Sequence, residues 1–124
     1  MRVLICGGRD WMDPEPIARY LDQLPDDAVV IHGGARGADE IAGREARRLG
    51  FGVLVFPAQW DRYGKAAGRM RNQLMLDEGK PDLVICFPTP RSIGTWDMFN
   101  RAKRAGVTVI DATDPMAKRI SDLK

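Results

Sequence analysis

Five short apolar runs recur along the chain, each closed by glycine, proline or a polar residue and separated from the next by a stretch with helical spacing. They are Val3 to Cys6, Ala28 to His32, Phe51 to Phe56, Pro81 to Phe87 and Val107 to Asp111. Little polar residue interrupts them, which is the pattern of strands covered on both faces. Before the second run, Asp13 stands as an N-cap with Pro14 at the first helical position. Ile17, Tyr20, Leu21 and Leu24 then repeat every three or four residues until Pro25 forbids continuation, so a helix is predicted from about Asp13 to Gln23. After Gly37, the residues Ala38, Ile41, Ala42, Glu45, Ala46 and Leu49 share one face, with Arg36, Glu40, Arg44, Arg47 and Arg48 outside it and Gly50 as the stop.

The segment Ala58 to Gly68 has two aromatics, two glycines and no clear period, and reads as a loop that turns helical near Lys65 and runs to about Glu78. Ala67, Arg71, Leu74, Met75 and Glu78 stack at three- and four-residue intervals. That puts Arg71 on the edge of the inward face, flanked by Arg69 and Asn72. A loop from Pro88 to Thr95 opens a further helix through Ala105, packed through Met98, Phe99, Ala102 and Ala105 and capped by Gly106. The tail from Pro115 to Lys124 is predicted as a short helix with Met116, Ile120 and Leu123 on its apolar face.

Strands alternating with helices imply an α/β fold with one parallel sheet and right-handed crossovers. A strand order 3-2-1-4-5 reverses its winding between strands one and four, and ligands in such sheets bind at that point, outside the C-terminal strand ends. The turns after strands one, two and four then surround one crevice, and Arg71 arrives from the helix before strand four.

The chemistry concentrates in those turns. Val29 to Asp39 passes from a strand through Gly33, Gly34 and Gly37 into a helix N-terminus, where unshielded N–H groups and the helix dipole suit an anion, foremost a phosphate. Gly7 and Gly8 make a similar turn beside Arg9. An arginine at position 71 needs an anionic partner. Arg9 is read as a phosphate clamp, and Arg36 equally as a clamp or a solvent-facing residue. Lys65 at a helix start opposes the dipole, an arrangement that a bound anion would repay. Trp60 and Tyr63 stack on a base or pack the loop. His32 reads first as a hydrogen-bonded structural residue and second as a group polarising a ligand. Asp97 with Arg101 four residues on is explained by the dipole and an ion pair, with catalysis as the alternative.

Totals add limits. With 124 residues the chain is expected to be a single domain, 1–124, and 44% hydrophobic and 29% charged residues fit an ordered globular fold. A net charge of +2 gives no overall basic field. No run approaches the roughly 20 apolar residues of a membrane span and the first residues read as a strand rather than a leader, so a cytoplasmic location without membrane contact is expected. Cys6 and Cys86 read as buried thiols of a reducing compartment, and no metal site is expected.

Cys6-Gly7-Gly8-Arg9-Asp10-Trp11, His32-Gly33-Gly34-Ala35-Arg36-Gly37-Ala38-Asp39, Trp60 with Tyr63-Gly64-Lys65-Ala66-Ala67-Gly68 and Arg71-Asn72, and finally Gly94-Thr95 resemble the YspA-type branch of the SLOG superfamily. The resemblance spans nearly the whole chain. It implies a Rossmann-like three-layer domain, a nucleotide or nucleotide-derived ligand, and a homodimer. The related LOG enzymes are phosphoribohydrolases with an Arg on the helix before strand four and a Glu in Pro-Gly-Gly-x-Gly-Thr-x-x-Glu. Arg71 matches the first. At the second, Pro90-Arg91-Ser92-Ile93-Gly94-Thr95 replaces both leading glycines and Met98 stands where the Glu would be. The nearest carboxylate, Asp97, is one residue early, about 100° around a helix.

Three functions follow. The leading one is binding of a nucleotide-type small molecule, as sensor or carrier, through the turn residues Gly7, Gly8, Arg9, Gly33, Gly34, Arg36, Gly37, Gly94 and Thr95 with Lys65, Arg71 and Asn72. No cofactor is required beyond a bound nucleotide. The second is cleavage of a nucleotide N-glycosidic bond by Arg71 and Asp97. The third is single-stranded nucleic-acid binding, as in the Smf/DprA relatives, through Arg44, Arg47 and Arg48 or through Arg101, Lys103 and Arg104.

Overall fold

The apolar runs form one parallel sheet of five strands: β1 (Arg2–Gly7), β2 (Val29–His32), β3 (Gly52–Val55), β4 (Leu83–Phe87) and β5 (Thr108–Asp111), in the order β3-β2-β1-β4-β5. This is the computed structural model of the chain, and it describes residues 1–123. Between the strands lie α1 (Pro14–Leu21), α2 (Ala38–Arg48), α3 (Trp60–Tyr63), a 3₁₀ turn (Gly64–Ala66), α4 (Ala67–Gly79) and α5 (Ile93–Arg104). Val3 pairs with Leu83 and Cys6 with Cys86 across β1 and β4, while Arg2 pairs with Val29 across β1 and β2.

Successive side chains of a strand point to opposite faces, and β1 feeds two cores. Val3 and Ile5 join Ile17, Leu21, Ile41 and Ala42 under α1 and α2. Leu4 and Cys6 join Met75, Leu76, Met98 and Ala102 under α4 and α5. Every residue of β4 is buried, whereas Leu54 and Val55 of edge strand β3 are exposed. The three-layer arrangement and strand order are those expected. Asp13 caps α1 by accepting from Glu15 N at 3.0 Å, with Pro14 first in the helix, also as read from the sequence.

Four local expectations need correction. Trp60 to Tyr63 is a short helix rather than loop, joined to α4 through the 3₁₀ turn. The inner face of α4 is Ala67, Asn72, Met75, Leu76 and Gly79, so the expected stripe is rotated: Leu74 and Glu78 are exposed and Arg71 is half-buried. Gly79 lets α4 lie close to the sheet, since a Cβ there would stand 3.3 Å from Ile31 Cδ1. On α5, Ala105 is exposed and Thr95 takes the buried place beside Met98 and Ala102. The tail makes a 3₁₀ turn at Ile120–Leu123 in place of a longer helix. Asp111 and Asp114 accept from the backbone N–H of Thr113 and Met116, turns that compete with helix, and Met116 is exposed. Lys124, the last residue of that expected helix, lies outside the described residues. No helix among the described residues is long and apolar enough to cross a membrane.

Candidate functional site

A cavity of about 310 Å³ opens at the C-terminal edge of the sheet. Arg9 reaches it from the turn after β1, Gly33 to Arg36 from the turn after β2, Pro57, Ala58 and Trp60 from the segment after β3, and Arg71 from α4. The turn after β4 is not part of it. Thr89 Oγ1 donates to Asp10 Oδ1 at 2.6 Å, tying that turn onto the one after β1, and Thr89 N donates to Ser92 Oγ at 2.6 Å within the turn itself. Gly8 is pressed into the same junction, where a Cβ would stand 2.3 Å from Thr89 Oγ1. The cavity therefore lies toward β2 and β3 rather than in the expected crevice between strands one and four. The Thr89 hydroxyl holds the Asp10 carboxyl below the usual carboxylate range.

The amides of the glycine turn are also not bare. Asp39, buried two positions into α2, accepts from Gly33 N at 3.0 Å and Ala35 N at 3.3 Å. His32 Nδ1 accepts from Gly34 N at 3.0 Å. These three N–H groups hold the turn's own shape, so the amides of Gly33 and Gly34 are engaged inside the turn. Burial pushes the Asp39 carboxyl up to about 6 against the opposing pull of Arg71 and the two amides. Burial, then Arg47 and Arg71, pushes His32 down to about 4. Because Nδ1 accepts, the imidazole proton sits on Nε2, which has no partner among the described residues and faces Gly43; a Cβ there would stand 2.6 Å away. His32 is a structural residue of the turn.

Arg71 is the centre of the cavity. Nη1 donates to Gly33 O at 2.5 Å and, more weakly, to Phe56 O at 3.5 Å, and Nε donates to Asn72 Oδ1 at 3.1 Å. All of these acceptors are neutral. Among the described residues, Nη2 has no hydrogen-bond partner and no carboxylate stands within 4.0 Å of the guanidinium. Burial lowers its pKa, partly offset by Asp39, but a guanidinium stays cationic at any working pH. Gly33 makes the approach possible, since a Cβ at that residue would stand 2.3 Å from Nη1. Arg9 lies over the Trp60 ring, 5.3 Å from its centroid.

The remaining expected site residues divide. Arg36 and Gly34 line the cavity. Gly7 and Gly37 serve packing: a Cβ on Gly7 would stand 2.5 Å from Ala38 Cβ, and Gly37, at φ 77°, lies against Gly8 O. Lys65 is exposed on the 3₁₀ turn and Tyr63 is exposed with Arg62 over its ring, both outside the cavity lining. Asn72 is buried beneath the cavity, with Nδ2 donating to Gly94 O at 3.1 Å and Asp97 Oδ2 at 3.0 Å. Thr95 is buried in α5, and Asp97 pairs with Arg101 at 2.8 Å. Asp39 was not among the expected site residues, although a carboxylate just inside a helix behind a glycine turn is a signal for such back-bonding. Pro57 and Ala58 carried no signal.

Residues 1–63 match the family described as YspA, cpYpsA-related SLOG family. The match includes both glycine turns and Trp60 and stops before Arg71. The chain is 43% identical over 122 residues to the Gene 61 protein of Mycobacterium phage D29, covering 91% of this chain and 97% of that one. Its fold is similar to the X-ray structure of DNA processing protein A (DprA) from Streptococcus pneumoniae, with a TM-score of 0.73 and 19% identity over 87% of this chain. The chain spans about half of that protein, 48% of its length.

Proposed function

The chain belongs to the YspA, cpYpsA-related SLOG family, and on that premise we propose that it is a binding domain for a small phosphate-bearing ligand of the nucleotide type. One observation carries the reading. Among the described residues, Arg9, Arg36 and Arg71 meet at a cavity that no carboxylate lines, and the free Nη2 of Arg71 belongs to a half-buried cation without a contacting anion. A buried charge left in that state is costly, and an anionic ligand relieves it. The cavity lies at the lower end of the roughly 300–1,000 Å³ common for small-molecule sites.

Each group then has a role. Arg71 meets the phosphate from below, while Arg9 and Arg36 close on it from the rim. Trp60 offers its ring as an apolar wall for a base. The amides of Gly33, Gly34 and Ala35 do not contribute, since Asp39 and His32 already occupy them.

Among the described residues the hydrolase reading has no carboxylate lining the cavity, and Asp97 is engaged by Asn72 and Arg101. The basic clusters are partly engaged within the chain: Arg48 pairs with Glu45 at 3.2 Å, Arg101 pairs with Asp97, and Lys103 lies over the Phe99 ring. The test is calorimetry of the whole chain against inorganic phosphate, AMP, ADP-ribose, NAD and cyclic AMP. The expected result is binding of at least one nucleotide that falls at least about tenfold in Arg71→Ala. Absence of binding to every one at millimolar concentration overturns the proposal.

A further inference from the structure

The inner face of α4 carries one buried polar side chain, Asn72. Its amide is committed at both ends. The oxygen accepts from Arg71 Nε at 3.1 Å, and the nitrogen donates to Gly94 O at 3.1 Å and to Asp97 Oδ2 at 3.0 Å. Asp97 is held in turn by Arg101 Nε at 2.8 Å, and Arg101 Nη1 donates to Gln73 Oε1 at 2.9 Å. The sense of this line is fixed by its acceptors. Were the amide reversed, its NH₂ would face the Nε–H of Arg71, and its oxygen would face a carbonyl and a carboxylate. Both contacts would be repulsive.

The consequence falls on Arg71. A long side chain on a helix ordinarily samples many rotamers, yet here Nε is taken by Asn72 and Nη1 by Gly33 O. Two bonds to a planar group fix its plane. The one edge left without a partner, Nη2, belongs to a residue that lines the cavity.

We infer that Asn72, oriented by Asp97, is a positioning residue: it fixes the plane of the Arg71 guanidinium so that Nη2 meets the bound anion. The inference rests on the reading of Arg71 as the anion-binding group. It moves Asn72 from contact with the ligand, and Asp97 from chemistry, to a shared role behind the cavity. Because the guanidinium is ordered before the ligand arrives, binding does not carry that ordering cost.

The test uses Asp97→Ala, Asp97→Asn, Asn72→Ala, Asn72→Ser and Arg71→Ala in the full chain. Two readouts are taken: the NMR signal and solvent exchange of the Arg71 Nε–H without ligand, and AMP affinity by calorimetry. In Asp97→Ala and both Asn72 variants the Nε–H should lose protection and AMP affinity should fall about five- to tenfold. Asp97→Asn keeps an oxygen that accepts from Asn72, and should stay within about twofold of the parent in both. The inference is overturned if the folded Asp97→Ala and Asn72 variants keep a protected Nε–H and parental affinity, or lose only thermal stability. It is equally overturned if Asp97→Asn loses as much as Asp97→Ala. If Arg71→Ala binds AMP as the parent does, or the parent binds none of inorganic phosphate, AMP, ADP-ribose, NAD and cyclic AMP, the anion-binding reading fails on its own, and Nε–H protection still decides whether Asn72 and Asp97 order the guanidinium; if the parent binds one of the others and not AMP, that ligand replaces AMP in the affinity readout.

Discussion

The carbonyl of Gly33 accepts from Arg71 Nη1, and the same residue lies so close beneath the guanidinium that a Cβ would stand 2.3 Å from it. Gly33→Ala therefore sets a methyl group against the far end of a flexible side chain, which can swing aside. The expected outcome is a split: unfolding stability changes by about 1 kcal/mol or less, while AMP affinity falls at least about tenfold because Arg71 has left its place. Urea titration and calorimetry on one preparation measure both. A stable variant with unchanged binding would contradict the role given to Arg71.

Gly37 is the contrasting case. It holds φ 77°, and a Cβ would stand 2.3 Å from Gly8 O and 2.6 Å from Arg9 O, which are backbone atoms with nowhere to go. Gly37→Ala should cost about 2–4 kcal/mol in urea unfolding. A change below about 1 kcal/mol would show that the turns after β1 and β2 are not locked together in this way.

The layers were legible in the sequence because each strand announces itself twice, by an apolar run and by the glycine or proline that ends it. Asp13 and Pro14 placed the start of α1 for the same local reason. The site was legible only as a neighbourhood. Glycines 7, 8 and 37 are required by close packing, Gly7 against Ala38 and Phe87, Gly8 against the Thr89 side chain and Gly37 against the backbone of Gly8 and Arg9, and no residue type distinguishes that need from a phosphate cradle. Asp39 folding back on Gly33 and Ala35 depends on the φ of Gly37, which the sequence does not display. On α4 the apolar spacing favoured Leu74 over Asn72 as an inward position. The inward amide is stabilised by groups on α5, from Gly94 and Asp97, that are far along the chain.

Two buried groups of the glycine turn titrate against each other. Asp39 has its pKa raised from 3.8 to about 6, so the folded chain holds this proton more tightly. Its contribution to stability is complete below about 3.8 and is lost as pH rises through about 6. His32 has its pKa lowered from 6.5 to about 4, so its contribution is complete above about 6.5 and is lost as pH falls through about 4. Each shift corresponds to roughly 3 kcal/mol, and the two slopes cancel across nearly the same window. Relative to the parent, Asp39→Asn should lose about 3 kcal/mol between pH 7 and pH 4, and His32→Asn should gain a similar amount. Urea unfolding at four pH values gives the difference curves. Level curves for both variants would refute the opposing pair.

Trp60 supplies the remaining contrast, because its ring has two possible duties. It is 46% exposed and lines the cavity under Arg9, and it also lies beside α4, where a Cβ on Gly68 would stand 3.3 Å from the ring. If the ring is a wall for a base, Trp60→Ala should weaken AMP by about 1–3 kcal/mol, the usual value of one base stacked on an aromatic. Ribose 5-phosphate carries the same phosphate without the base, and its affinity should change by less than about twofold. Trp60→Phe should restore most of the AMP affinity. If the ring only packs α3 against α4, both ligands will weaken together with unfolding stability, and the difference between AMP and ribose 5-phosphate will not depend on residue 60.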